Sequence, residues 1–241
     1  MALATRDAPA ALRVLVGELG ATVLSGGQFP GFRPVQVRLG DGSRGMTVEL
    51  LEPWETAAND FLARFLDRHG DGPHHLTIKV DDFDAALDAV RATGRDPVGV
   101  NRSDPSWLEA FLVPREAFGT VVQIAAQPPD DGFGARFARA RANGPEAGPA
   151  WWPSLPARVS GAVGLRQVVL RTDDLQAGRA FFGELLGGQR VADGPGFVEL
   201  RWPGGGQLRL EAGDGPPGVT RLELDGVAPE RVIAGTRFVS G

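Results

Sequence analysis

Residues 70–94 read GDGPHHLTIKVDDFDAALDAVRATG and contain the clearest strand-to-helix junction in the chain. The run HHLTIKV predicts a strand, and DDFDAALDAVRATG predicts a helix with Asp81 or Asp82 as its N-terminal cap. Two of the three histidines of the protein, His74 and His75, begin the strand. The stretch is therefore both a candidate ligand site and one copy of a structural unit.

The same junction recurs along the chain, as a strand followed by an acidic or small cap and a helix with an early alanine. The recurring segments are LATRDAPAA at 3–11, IKVDDFDAA at 78–86, LRTDDLQAG at 170–178 and LELDGVAPE at 222–230. Asp7 precedes Gly20 by thirteen residues, and Asp174 precedes Gly187 by the same number. Because such self-similarity marks a repeated structural unit, we predict nearly four copies of one unit.

Alternating apolar and polar runs near these junctions predict further strands. Residues 35–52, VQVRLGDGSRGMTVELLE, predict a hairpin, and residues 197–213, FVELRWPGGGQLRLEAG, repeat it. After the middle helix, PVGV, WLEAFLVP and GTVVQIAA predict three strands. We therefore predict an α+β fold of two fused modules, built from paired βαβββ units.

A segment rich in Pro, Gly and Ala, residues 128–162, separates the predicted modules. Its composition is typical of a linker, with at most one short helix near residues 135–142. We expect Trp151 and Trp152 to hold it against a surface. The predicted domains are a first module at 1–127 and a second at 163–241.

The composition excludes several classes of function. Apolar residues make up 42% of the chain, which is enough for a buried core, and the absence of cysteine excludes disulfides, zinc-thiolate sites and cysteine nucleophiles. A net charge of −5 without basic clusters argues against a nucleic-acid partner. No apolar run approaches the ~20 residues of a membrane span, and the N-terminus lacks the features of a signal peptide. We expect a cytoplasmic protein without a membrane partner.

The paired units resemble those of the vicinal oxygen chelate superfamily, also named the glyoxalase/bleomycin-resistance/dioxygenase superfamily. VELLEPW, HHLTIKVDD and GTVVQI are most similar to the methylmalonyl-CoA epimerase-like group within it. The resemblance covers nearly the whole chain outside the linker. It implies sheets that curl around a cavity and a divalent metal held by side chains from four strands.

The resemblance also implies which residues hold the metal. Glu49 of VELLEP matches a carboxylate or amide ligand, His75 of HHLTIKV matches a histidine ligand, and Gln123 of TVVQI stands where the family has a glutamate. The remaining ligand position lies seven residues before the capping Asp7, as His75 lies seven before Asp82, and so falls one residue upstream of Met1. Either the natural start is further upstream or that ligand is lost.

Imidazole and carboxylate ligands suit zinc, manganese, cobalt, nickel or ferrous iron. In the family such an ion stabilises an enolate of a chelating substrate, and a flanking carboxylate, here Glu49, moves the proton. Gln123 removes one negative charge and one candidate base. Other interpretations remain: His74 and His75 as ordinary strand residues, Glu49 facing water, and Gln123 as a hydrogen-bonding strand residue.

The second module matches the ligand pattern less well. Gln167 stands seven residues before Asp174, Arg209 stands at the place of Glu49, and Val219 or Thr220 stands at the place of His75. These residues do not form a set of metal ligands. We also expect the last hairpin of this module to be missing, which makes it a truncated, degenerate copy that supports packing.

Three functions follow from the resemblance. The first is a metal-dependent isomerase, epimerase or lyase acting on a small oxygen-chelating substrate. The second is a non-catalytic protein of the bleomycin-resistance type that sequesters a small molecule, and the third is a ring-cleaving dioxygenase. Arg33, Arg38, Trp54 and Trp107 are candidates to line the cavity for an acidic or acyl substrate, and the family implies a homodimer.

Overall fold

A computed structural model describes residues 1–40, 46–127, 155–226 and 229–241 of the chain. The predicted α+β class is confirmed, because the strands form two mixed sheets accompanied by helices. The eight strands of the first sheet are β1 (Ala2–Ala4), β2 (Thr22–Gly26), β3 (Gly31–Leu39), β4 (Met46–Trp54), β5 (Gly72–Lys79), β6 (Val98–Asn101), β7 (Leu108–Leu112) and β8 (Val121–Ala126).

The seven strands of the second sheet are β9 (Leu165–Thr172), β10 (Gln189–Gly194), β11 (Phe197–Arg201), β12 (Gln207–Ala212), β13 (Gly218–Leu224), β14 (Arg231–Ile233) and β15 (Thr236–Ser240). The helices are α1 (Ala8–Leu15), α2 (Phe61–His69), α3 (Phe83–Ala92) and α4 (Leu175–Arg179), the last continuing as a π-helical stretch, Ala180–Leu185. Within the described residues, no helix is long and apolar enough to cross a membrane.

The chain divides into two compact units. Among the described residues, unit 1 contains 1–74, 155–166 and 221–241, and unit 2 contains 75–127 and 167–220. The module boundaries predicted at 127 and 163 remain predictions. The predicted linker helix and the tryptophans Trp151 and Trp152 lie outside the described residues.

Unit 1 contains the strand order β2-β3-β4-β1, in which β1 is parallel to β4 and the other pairs are antiparallel. Strand alternation separates the two faces of this sheet. On one face, Val35, Val37 and Leu50 are fully buried, and α1 packs against β3 and β4. On the other face, Leu51 packs with Leu62 of α2 in an apolar cluster.

Unit 2 contains the strand orders β5-β8-β7-β6 and β10-β11-β12-β9. The apolar positions of its first four strands include Leu76, Val122 and Ile124, all buried, and α3 packs against β8 through its buried side chains. Alternation then turns the intervening residues of β5 and β8 to the opposite face. That face carries the candidate site.

Three helices begin with the same aspartate cap, as the repeat predicts. The carboxylate accepts a hydrogen bond from the amide three residues later, at 2.8 Å for Asp7, 2.9 Å for Asp82 and 2.8 Å for Asp174. This bond satisfies an amide that has no partner inside the helix. The choice between Asp81 and Asp82 is thereby decided in favour of Asp82.

The sheet register shows which residues of the repeats are equivalent. In each copy, the strand residue five positions before the cap lies opposite one residue of a parallel neighbour. These pairs are Ala2 with Glu49, Thr77 with Gln123 and Val169 with Arg209. Glu49, Gln123 and Arg209 therefore occupy one position of the repeat.

The prediction that the second module lacks its last hairpin is wrong. Strands β14 and β15 form this hairpin, and β15 pairs in parallel with β13, as β8 pairs with β5. Only residues 225–230 connect β13 to β14, fewer than the ten residues of α3 alone. Because this connection is so short, the closing strands follow the junction sooner than the repeat pattern suggests.

Candidate functional site

A continuous row of polar side chains crosses four strands of unit 2, and we call it the polar row. It consists of one residue from each of β5, β8, β7 and β6, which are Thr77, Gln123, Glu109 and Asn101. The Thr77 Oγ1 donates to Gln123 Oε1 at 2.7 Å, and Gln123 Nε2 donates to Glu109 Oε2 at 2.7 Å. Asn101 Nδ2 completes the row with a 3.5 Å contact to Glu109 Oε1.

The chemistry of these partners fixes the orientation of the Gln123 amide. An ionised carboxylate only accepts hydrogen bonds, so the amide nitrogen must face Glu109. The carbonyl oxygen, Oε1, then faces the Thr77 hydroxyl. An amide oxygen has two lone pairs, and one of them remains available for a ligand after the bond from Thr77.

Glu109 is a site residue that the sequence reasoning missed. Besides Gln123 and Asn101, its carboxylate accepts a 3.1 Å hydrogen bond from the Trp107 indole nitrogen. The Trp107 ring also lies 5.3 Å from the Lys79 ammonium. One signal was present in the sequence: Glu109 is an acidic residue inside the predicted strand WLEAFLVP. The structure adds that Phe111, two residues later, lies opposite Gln123.

His75 lies on the same face as the polar row, two residues before Thr77 on β5. Its side chain is buried, and its ring meets the Phe111 ring edge-on at a centroid distance of 6.1 Å. The structure therefore places His75 and Gln123 on the same face of two neighbouring parallel strands. Both side chains can reach a ligand on that face.

His74 points to the opposite face and has different surroundings. Its ring lies 4.7 Å from the Phe65 ring and 6.1 Å from the Phe61 ring, both on α2. Burial lowers the pKa of His74 to about 4. His74 is therefore neutral at physiological pH and packs with aromatic side chains.

Glu49 lies on β4 in unit 1 and is partly buried. It accepts a 2.9 Å hydrogen bond from Gln36 Nε2, and Ser25 Oγ donates to Gln36 Oε1 at 3.3 Å. Burial lowers the pKa of the Met1 amino group, and the Glu49 carboxylate acts in the opposite direction. Glu49 thus belongs to a second row of polar side chains, on β2, β3 and β4.

Two of the residues expected to line a cavity, Arg33 and Trp54, lie in unit 1 and contact each other there. Arg33 Nε donates to Glu52 Oε2 at 2.5 Å, and the guanidinium of Arg33 lies 4.8 Å from the Trp54 ring. Glu52 is buried and also accepts a hydrogen bond from the Ala8 amide at 3.1 Å. Glu52 therefore links Arg33 to the first residue of α1.

The equivalent position of the second module carries an arginine. Arg209 Nη1 donates to Glu199 Oε1 and Arg209 Nε donates to Glu211 Oε1, both at 2.7 Å. The guanidinium also lies 3.8 Å from the Phe197 ring. Burial lowers the pKa of Arg209, but the two carboxylates outweigh it and raise the pKa above its usual value.

The donors of unit 2 fit a borderline divalent ion, since an imidazole and an amide oxygen with an available lone pair lie on one face. Within the described ranges, no group of three or more His, Asp or Glu side chains has the arrangement of a metal site. His75 and Gln123 are brought together in unit 2, and Glu49 is placed in unit 1.

Comparison with protein families matches residues 1–111 to the profile described as the Glyoxalase/Bleomycin resistance protein/Dioxygenase superfamily. None of the curated proteins compared with the chain matches it.

Several solved structures are similar to about half of the chain. A hypothetical protein from Bacillus halodurans C-125 is 22% identical over 54% of this chain and 92% of its own, with a TM-score of 0.47. A single-residue variant of methylmalonyl-CoA epimerase from Streptomyces coelicolor, in complex with 2-nitronate-propionyl-CoA, is 20% identical over 54% and 94%, with a TM-score of 0.47. Methylmalonyl-CoA epimerase from Mycobacterium tuberculosis is 22% identical over 53% and 85%, with a TM-score of 0.46.

Proposed function

We propose a function for this chain from the fact that it belongs, through residues 1–111, to the Glyoxalase/Bleomycin resistance protein/Dioxygenase superfamily. The proposed function is that of a metal-dependent enzyme acting on a small oxygen-chelating substrate, as an isomerase, epimerase or lyase. The observation that carries the proposal is that His75 and an oriented Gln123 lie on the same face of the neighbouring strands β5 and β8.

His75, Gln123 and Glu49 are the proposed ligands. His75 would offer an imidazole nitrogen, Gln123 its Oε1 and Glu49 a carboxylate oxygen. A bound divalent ion would supply Lewis-acid stabilisation of negative charge on a chelating oxygen of the substrate. Glu49 is also the residue that we assign to proton transfer, because a carboxylate can accept and return a proton at a carbon next to a carbonyl.

Metal binding by the purified protein tests the ligand set. We expect calorimetric titration with Co²⁺, Zn²⁺, Mn²⁺, Ni²⁺ or Fe²⁺ to show one bound ion per chain. His75→Ala should reduce the affinity by at least about tenfold, because a ligand is removed. His74→Phe is the matched control, since His74 faces α2, and should keep the affinity of the wild type. A wild type that binds none of the five ions, or His75→Ala binding as tightly as the wild type, would overturn the proposal.

Proton transfer has a separate test. The metal-loaded protein should exchange the α-hydrogen of simple 2-oxo acids and thioesters with solvent deuterium, detected by NMR. Glu49→Gln should abolish this exchange while metal remains bound, because an amide cannot accept the proton. Equal exchange by the wild type and Glu49→Gln would remove Glu49 from this role.

One observation favours a second function, that of a metal-free protein which binds a small molecule. Gln123 is neutral, and both of its polar atoms already bond to Thr77 and Glu109. A side chain held in this way recognises a ligand by hydrogen bonds as readily as it ligates an ion. A protein that binds small molecules on this face but no metal would support the second function over the first.

A further inference from the structure

The carboxylate of Glu109 accepts a hydrogen bond from the Gln123 amide. We propose that Glu109 is the positioning residue that fixes the orientation of this amide and increases the electron density on its oxygen. This inference deepens the proposed function, because Gln123 Oε1 is one of the proposed ligand atoms. The Nε2 to Oε2 distance of 2.7 Å is short for a nitrogen donor. Hydrogen bonds to an ionised acceptor are both shorter and stronger than neutral ones.

Comparison of the repeats carries the inference. In unit 1, the acid is Glu49 on β4 and its amide partner is Gln36 on β3, with the two residues opposite each other in the register. In unit 2, the equivalent position on β8 holds the amide of Gln123. The residue opposite it on β7 is Phe111, and the acid is Glu109, two residues before Phe111 on the same face. The amide of unit 2 therefore stands where unit 1 has the acid, and its carboxylate partner reaches it diagonally from the adjacent strand. Each pair keeps one carboxylate and one amide.

The diagonal pair of Glu109 and Gln123 still delivers negative charge to the position of the ligand atom. A carboxylate that accepts from an amide N–H₂ group polarises the amide and increases the electron density on its oxygen. Gln123 Oε1 is therefore a better donor to a cation than the oxygen of a solvent-exposed glutamine. The carboxylate missing at residue 123 is thus replaced by one on the neighbouring strand.

The remaining partners of Glu109 hold its carboxylate in place. The Trp107 indole donates to Oε2 at 3.1 Å, and Oε1 contacts Asn101 at 3.5 Å. Because the donors approach both oxygens, rotation of the carboxylate breaks at least one of these contacts. Glu109 consequently holds the amide nitrogen of Gln123 in a fixed position, and the Thr77 hydroxyl holds the amide oxygen from the other side.

Charge exchange within the pair distinguishes this role from a merely structural one. Glu109→Gln removes the charge and keeps the size of the side chain. The double variant Gln123→Glu/Glu109→Gln moves the charge across the hydrogen bond to residue 123, the position at which unit 1 has Glu49. Glu184→Gln is the matched control, because it removes one negative charge from an exposed carboxylate of the same unit.

Two measurements on the full chain decide the matter. Without metal, the side-chain N–H₂ resonances of Gln123 should move in Glu109→Gln, because their charged acceptor is lost, and should keep their wild-type positions in Glu184→Gln. With Co²⁺, Glu109→Gln should weaken binding by about tenfold, the range measured for residues that support metal ligands. The double variant should bind Co²⁺ at least as tightly as the wild type.

The outcomes separate this inference from the proposed function. If the wild type binds no Co²⁺, the metal-dependent function fails, and the Gln123 resonances alone decide the role of Glu109. If the resonances do not respond to Glu109→Gln, or if the variant binds Co²⁺ as the wild type does, Glu109 is not the positioning residue. Thermal unfolding of each variant serves as the control that the variant is folded.

Discussion

Arg209 and Glu199 form an ion pair, with 2.7 Å between Nη1 and Oε1, at the register position where Glu49 and Gln36 pair in the first module. The Glu199 side chain is 10% exposed and that of Arg209 is 24% exposed, so solvent screens the pair only in part. The second module therefore holds a permanent cation at the position that the first module gives to a proposed metal ligand.

Loss of this cation should destabilise the protein. Arg209→Met should lower the free energy of unfolding by about 1–3 kcal/mol, because Glu199 keeps its burial but loses its charged partner. Urea denaturation measures the change. The double variant Arg209→Met/Glu199→Gln should recover part of the loss, since it removes the unpaired charge as well. Equal stability of Arg209→Met and the wild type would show that the pair contributes nothing.

The cap of α3 offers a test with a neighbouring control. Asp82→Ala should lower the free energy of unfolding by about 1 kcal/mol, because the Ala85 amide loses its side-chain acceptor. Asp81→Ala changes the adjacent exposed carboxylate, which is not the cap, and should cost less than about 0.5 kcal/mol. If both variants lose the same amount in urea denaturation, Asp82 has no special role as a cap.

A close backbone approach makes Gly119 harder to replace than Gly94. Both glycines have left-handed backbone conformations, with φ of 77° and 82° respectively. A Cβ atom at Gly119 would lie 2.1 Å from the Pro217 carbonyl oxygen, whereas nothing lies within 4 Å of one at Gly94.

Alanine substitution at these two glycines should give different results. Gly94→Ala should cost about 1 kcal/mol, the strain of the left-handed conformation, and Gly119→Ala should cost at least about twice as much. Thermal unfolding measures both changes. If the two variants have the same melting temperature, the approach of Pro217 does not constrain Gly119.

His74 should make the stability depend on pH. Its pKa is lowered from 6.5 in the unfolded chain to about 4 by burial, so the unfolded state binds a proton first as the pH falls. Stability should therefore be full above about pH 6.5 and decrease down to pH 4, by up to about 3 kcal/mol from this residue. In His74→Phe, the urea midpoint should fall less between neutral pH and about pH 5 than in the wild type. An equal fall in both proteins would contradict this assignment.

The local features of the fold follow well from the sequence. The aspartate caps, the hairpin of β3 and β4 and the strands around His75 were predicted, because caps and alternation involve residues close in the chain. The final hairpin was not predicted. Strands β14 and β15 span only three and five residues, too few for a periodic pattern to be recognised, and their pairing depends on β13.

The candidate site shows the same division. Residue type and spacing, read with the family resemblance, identified His75, Gln123 and Glu49, whose roles as ligands remain predictions. They did not identify Glu109, because its importance comes from the pairing of β7 with β8. A strand residue acquires its partners from the neighbouring strand, and the sequence of one strand does not contain that information.

The sequence by itself determined the repeat, the α+β class and the equivalence of Glu49 and Arg209, because these depend on local periodicity and on matching the repeated hairpins. Only the tertiary structure decided that Thr77 and Glu109 hold the Gln123 amide from two sides and that Arg209 is bound by two carboxylates. The physical reason is that hydrogen bonds between strands depend on register and face, which form when the chain folds and distant strands pair.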